Sequence, residues 1–219
     1  MTVSGDGAMQ GDDAVRRAYA SLARRDPVLR RLIATVGRPN PFAWDGGDVA
    51  GDDLFAGLAL HIVGQQISIP AALTIFGRLG DVAGSRPPSP YAVARLDPGQ
   101  LRGVGLSAAK GRALLELAAG VSSGVIDLEG LRAVDDNAAV QALTALRGVG
   151  PWSAQMFLIH QLHRPDILPA GDVGIRHAVH RAYDLGERPS EPDVAALATA
   201  WAPYRSFASA LLWASLSGG

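Results

Sequence analysis

The stretch LTALRGVGPWSAQMFLIHQLHRPDILPAGDVGIRHAVHR, residues 143–181, decides how the rest of the chain is read. It divides into a helix end, a glycine hairpin, a second helix, a short loop and an acid that opens a third helix. Leu143, Leu146 and Val149 are apolar anchors around Gly148 and Gly150, the residue type that lets a backbone turn through positive φ. Pro151 follows at a first helical position, where its missing N–H costs nothing. Such a hairpin leaves backbone N–H groups pointing outward at a helix N-terminus, a ready seat for phosphate. The next helix is expected to run to about His163, and the loop RPDILPAG places Asp172 at the N-cap of the one after it. A phosphate cradle followed some twenty residues later by an acid points to chemistry on a nucleic acid.

LRGVGPWSAQ followed by LPAGDVGIR resembles the helix-hairpin-helix plus Gly/Pro…Asp signature of the HhH-GPD superfamily of DNA glycosylases. Within it the chain is most similar to the alkylation-repair branch, the 3-methyladenine-DNA glycosylase II type. Further matches are IVGQQIS at 62–68, GLSAAKGRAL at 105–114 and WAPYRSFASALLW at 201–213. Together they span roughly residues 26–216, and it is their order and spacing, more than any one glycine hairpin, that carry the likeness.

The resemblance implies an all-α, two-lobed fold with the helix-hairpin-helix at about 143–160 and an active-site cleft between the lobes. One lobe is expected over 52–160 and the other over 12–51 plus 161–219, behind a disordered tail at 1–11. The residues themselves agree on helices, since no alternating strand of useful length appears. Asp26 with Pro27, Asp52 and Asp53, Pro90, Asp97 with Pro98, Ser107 and Ser190 each sit where a helix should start. From Ile126, DLEGLRAV and DNAAVQALTAL are expected to supply two helices leading into the hairpin.

Composition narrows the chemistry. The chain has 219 residues, 48% of them apolar, and no Cys, so it is long enough for a sizeable core. It holds no disulfide, no cysteine nucleophile and no thiolate-bound iron–sulfur cluster. The N-terminal dozen residues have neither the basic start nor the apolar run of a signal peptide. The longest apolar run, around Phe207–Leu216, is too short to span a membrane. A cytoplasmic, nucleoid-associated bacterial monomer with no membrane partner is expected. The formal net charge of −1 gives no global basic field, so DNA binding must rest on a local patch and on backbone donors. Basic residues do gather between Arg147 and Arg188, where charge alone reads equally well as a solvated helical face.

Lys110 is the one lysine. Schiff-base chemistry needs a deprotonatable amine, which arginine does not supply. In bifunctional relatives that lysine sits where Trp152 stands here, so the resemblance implies a monofunctional enzyme without lyase activity. The GLSAAKGRAL segment itself reads either as a helix junction with Ser107 as N-cap or as a phosphate contact through Ser107 or Lys110.

Asp172 is the candidate catalytic residue, by the motif it stands in. Breaking an N-glycosidic bond builds oxocarbenium character on the sugar, which an adjacent anion stabilises, and the same carboxylate can orient or deprotonate water. A base alkylated on a ring nitrogen already carries positive charge and leaves without a general acid. Extruded, it would stack on electron-rich rings: Trp152 first, then Trp201 and Tyr204, with Met156 standing where some relatives carry an aromatic. Trp213 reads as core. Phe42 and Trp44 read as core plugs or, by resemblance, as lining of the base pocket. Gln65 and Gln66 read as a helix-linking hydrogen bond or as a wedge, with Gln66 filling the space of the extruded nucleotide. Ser68, Arg147, Gly148, Val149, Gly150, Ser153 and Arg176 are further DNA-binding candidates. Arg205 reads as an ion-pair partner, a support for Asp172 or a DNA contact. The resemblance also implies a Na+ or K+ ion on the carbonyls of Thr144, Leu146 and Val149, and no catalytic cofactor. The partner implied is double-stranded DNA with damaged bases, of the 3-methyladenine or 7-methylguanine type. Two rivals remain open: a glycosylase for hypoxanthine or uracil, and a non-catalytic helix-hairpin-helix module that only recognises damaged duplex.

Overall fold

The computed structural model describes residues 6–216, which are helices and loops; there is no strand among them. In chain order the helices are α1 (Asp6–Arg25), α2 (Pro27–Val36), α3 (Gly47–Ala50), α4 (Leu54–Gly64), α5 (Ile69–Ala83), α6 (Pro90–Val93) and α7 (Pro98–Gly103). They continue as α8 (Ala108–Ser122), α9 (Asp136–Thr144), α10 (Pro151–His160), α11 (Val173–Ala182), α12 (Glu191–Leu197) and α13 (Arg205–Ala214). Short 3-10 turns occupy Glu129–Ala133 and Ala198–Trp201. No described helix is long and apolar enough to cross a membrane.

The helix starts follow side-chain chemistry. Asp26 accepts from the Val28 and Leu29 amides, Asp53 from Ala56, Asp97 from Gly99 and Gln100, and Asp135 from Ala138. Each bond satisfies amides that a helix leaves without partners. Three expectations shift. Helix α1 begins at Asp6, inside the segment expected as a tail; residues 1–5 lie outside the described residues. The segment around DLEGLRAV makes only a 3-10 turn. Helix α10 stops at His160, and His163 takes φ 53°.

The chain divides into two compact units, one formed by residues up to Pro41 and from Arg164 onward, the other by Phe42–His163. The borders therefore fall at 41/42 and 163/164, where the sequence suggested 51/52 and 160/161. Trp44 and Gly46 explain the first shift. The indole stacks on His61 of α4, and a Cβ on Gly46 would lie 2.6 Å from Leu60, so this loop belongs to α4.

In the Phe42–His163 unit α4 is the central element. It is apolar on every side and buried from Leu54 to Val63, as expected of a helix surrounded by others. Helices α5, α8 and α10 pack against it, α6 and α7 against α8, and α9 against α10. In the other unit α13 packs on α2 and α11, and α1 on α2. A polar knot closes that core: Asp26, 6% exposed, accepts from Tyr183 Oη (2.5 Å) and Trp201 Nε1 (3.0 Å) as well as from its own helix. Burial works against the Asp26 carboxylate, but these hydrogen bonds hold its pKa below the usual value.

Candidate active site and nucleic-acid interface

In the Phe42–His163 unit the hairpin forms as its glycines require. Gly148 takes φ 78°, and a Cβ there would meet the Ala113 Cβ at 2.6 Å. Gly150 is the N-cap residue of α10, with Pro151 following inside the first turn. Trp152 is 41% exposed on that turn.

The GQQIS loop lies against this hairpin. Gln65 Nε2 donates to the Gly148 carbonyl (2.8 Å) and to Ser153 Oγ (2.9 Å). Gln65 is thus the linking amide, and Ser153, 2% exposed, is an internal partner and not a DNA contact. Gln66 is different: it is exposed and takes φ 58°, a left-handed conformation that a glutamine adopts only under constraint. Ile67 and Ile69 beside it are 39% and 56% exposed. Ser68 stands at the N-cap of α5 without a side-chain capping bond. The Val149 side chain is buried, and Arg147 Nε pairs with Glu116 Oε2 at 2.8 Å on the surface.

The base-pocket candidates of this unit separate. Trp44 stacks with His61 (4.7 Å between ring centroids) and with His160 (4.8 Å), and the two imidazoles lie 5.4 Å apart. Those distances put both imidazoles on one face of the indole, so Trp44 plugs this cluster. Burial, followed by the charge each imidazole would feel from its histidine neighbour, pushes His61 down to about 3 and His160 down to about 4. Phe42 packs its ring 5.0 Å from His163. Met156, 3% exposed, is packed inside and has no surface to offer a base.

In the other unit Asp172 caps α11. Its Oδ1 accepts from the Ile175 amide (2.9 Å) and from Trp213 Nε1 (3.0 Å). Gly174 leaves room for that pair: a Cβ there would lie 3.0 Å from Asp172 Oδ1 and 3.3 Å from the Trp213 ring. Trp213, read from sequence as core, is therefore the side chain that orients the candidate acid. Trp201 moves the opposite way, being fully buried and bound to Asp26, which removes it from the base pocket. Tyr204 remains partly exposed, edge-on to Phe207 at 5.9 Å. Arg205 makes a two-pronged ion pair with Asp166 at 2.7 and 2.8 Å, the first of the three roles its sequence position offered. Arg176 Nε donates to the Pro189 carbonyl at 2.8 Å. No group of three His, Asp or Glu side chains among the described residues is placed to hold a metal ion.

Comparison with known proteins supplies the context for these two sites. A family model described as HhH-GPD superfamily base excision DNA repair protein matches residues 60–203. The DNA-3-methyladenine glycosylase 1 of Schizosaccharomyces pombe is 27% identical over 202 residues, covering 91% of this chain and 87% of that protein. The DNA-3-methyladenine glycosylase of Bacillus subtilis (strain 168) is 26% identical over 211 residues, covering 89% of this chain and 65% of that protein. The chain spans between 56% and 87% of the length of the first curated relatives it matches. The structure of the S. pombe 3-methyladenine DNA glycosylase in complex with abasic DNA superposes with a TM-score of 0.80 at 28% identity, covering 92% of this chain and 97% of that one.

Proposed function

The chain belongs to the HhH-GPD superfamily of base excision DNA repair proteins, and on the geometry of Asp172 we propose that it is a monofunctional glycosylase releasing alkylated bases from double-stranded DNA. The observation that carries this reading is the Asp172 carboxylate held by two N–H donors, one from its own helix and one from Trp213. A carboxylate fixed this way is a preorganised anion. As the bond between C1′ and the base breaks, the bonding electrons leave with the base and neutralise its alkylated ring. Positive charge then grows on the sugar, where Asp172 stabilises it. Water adds at C1′ and its proton passes to the carboxylate or to solvent. No general acid is required, since a base alkylated on a ring nitrogen departs neutral.

The hairpin amides at Gly148 and Gly150 serve one backbone phosphate. Gln66, set at the exposed loop tip, fills the gap left by the extruded nucleotide, and Trp152 offers the flipped base a ring. The carbonyls of Thr144, Leu146 and Val149 are fitting donors for Na+ or K+. Leu146 accepts one backbone bond, from Val149 at 3.2 Å, while Thr144 and Val149 accept none among the described residues. Such an ion would stiffen the turn and take no part in the chemistry. Absence of lyase activity rests on Lys110, the one lysine, whose Nζ is bound to two backbone carbonyls.

Incubation with methylated duplex, followed by chromatography of the freed bases, tests the proposal. Release of 3-methyladenine or 7-methylguanine, with no protein trapped on DNA by borohydride, supports it. No release from methylated duplex, with release of hypoxanthine or uracil from a parallel duplex that carries those bases, would transfer the activity to another lesion class.

A further inference from the structure

Lys110 is spent on an unusual task. Its ammonium donates to the carbonyls of Val63 (2.8 Å) and Gln65 (2.6 Å) at the end of α4. A helix end leaves these carbonyls without partners, and a cation there is favoured by the helix dipole. Gln65 is gripped a second time through its side chain, which reaches the Gly148 carbonyl and Ser153. Residue 65 is therefore fixed by α8 through its backbone and by the hairpin through its amide. The next residue, Gln66, enters φ 58°, a region that non-glycine residues hold only when their surroundings over-determine it. Past it, Ile67 and Ile69 expose apolar side chains, the kind of wedge that enters between base steps.

Resting on the glycosylase reading above, we propose that Lys110 and Gln65 are positioning residues that lock the loop tip Gln66–Ile67 in register with the phosphate-binding hairpin. Lys110 acts on the wedge and not on the phosphate, because two of its three N–H bonds are taken by carbonyls. The clamp is already made in the protein without DNA, so duplex entry meets a preset wedge and pays no ordering cost at the tip.

The experiment compares the full chain with K110M, K110R, Q66A and the K110M/Q66A double variant. Three readouts are taken: single-turnover excision from methylated duplex at saturating protein, amide exchange across residues 65–68 without DNA, and the salt dependence of duplex binding. K110M is expected to slow excision about tenfold or more through misplacement of the wedge. K110R keeps a cation with N–H donors at the end of α4 and is expected to lose less than K110M. The double variant is no slower than the slower single variant, since both act through one element. Exchange at 65–68 accelerates about tenfold or more in K110M as its protecting contacts open. The salt slope does not change. Unaltered exchange, losses that multiply in the double variant, or a salt slope smaller by about one with excision intact would each overturn the clamp. If the parent protein releases no base, the glycosylase reading falls, and the exchange measurement still decides whether the clamp exists.

Discussion

At the scale of single residues, the candidate acid depends on a partner distant in sequence. Asp172 receives one bond from its own helix and one from Trp213, 41 positions away. The replacement Trp213→Phe keeps the ring and deletes the donor. Single-turnover base excision is expected to fall about tenfold or more as the carboxylate loses an orienting bond. The melting temperature should move by no more than about 5 °C. Equal excision by the two proteins would assign Trp213 to packing alone. Asp172 was legible in the sequence because the motif fixes its position. The role of Trp213 was not, since a tryptophan on an apolar helix reads as core whichever way its N–H points. Trp201 shows the same ambiguity reversed, its N–H being consumed by the buried Asp26. Ser153 and Arg205 were ambiguous for a related reason. Polar residues near a motif look available until their partners, Gln65 and Asp166, are placed.

At the scale of elements, the pentapeptide LRGVG occurs at 101–105 and at 146–150 and folds in two ways. In the first copy α7 runs through Gly103, and Gly105 takes φ 108°. In the second α9 has ended at Thr144, and Gly148 takes φ 78°. The letters are the same but their phase against the helix ends differs. The first copy follows closely on the Asp97 cap, whereas the second follows the end of a helix and is stopped by Pro151. Helix starts were legible because caps are local chemistry. Which glycine turns left-handed was not, because that depends on where the preceding helix stops. Two substitutions separate the copies. Gly148→Ala meets Ala113 at 2.6 Å in a left-handed position and should cost about 1–3 kcal/mol together with weaker duplex binding. Gly103→Ala lies within α7 with nothing within 4 Å and should be neutral or stabilising by up to about 1 kcal/mol. Urea unfolding of both variants checks the contrast, and equal effects would refute it.

At the scale of the whole molecule, stability should fall in mild acid. His61 and His160 are pushed down to about 3 and about 4 by burial and by neighbouring histidines, whereas in the unfolded chain they titrate near 6.5. The unfolded state therefore binds more protons than the folded state between those values. The stability these neutral histidines contribute is complete above about pH 6.5 and is lost as pH falls toward 4, with a slope of up to about 2.7 kcal/mol per unit for the pair. Unfolding measured from pH 7 to pH 4 should show this slope in the natural protein and a much flatter one after His61→Leu with His160→Gln. Matching slopes would refute the assignment. The helical class and the family were legible from four motifs, and the match over 60–203 agrees with them. The two units were legible in outline only. The Trp44–His61–His160 stack, which ties the Phe42–Gly51 segment to α4, joins residues that no periodicity connects.

Whether Asp172 drives release of alkylated bases is decided by comparing the natural protein with Asp172→Asn on methylated duplex. Freed bases are resolved by chromatography and duplex affinity is measured alongside. Release by the natural protein is expected, with a loss of about 100-fold or more in the variant as a preorganised charge is removed and duplex affinity retained. Equal release by the two proteins, or binding of methylated duplex without release by either, would contradict that role.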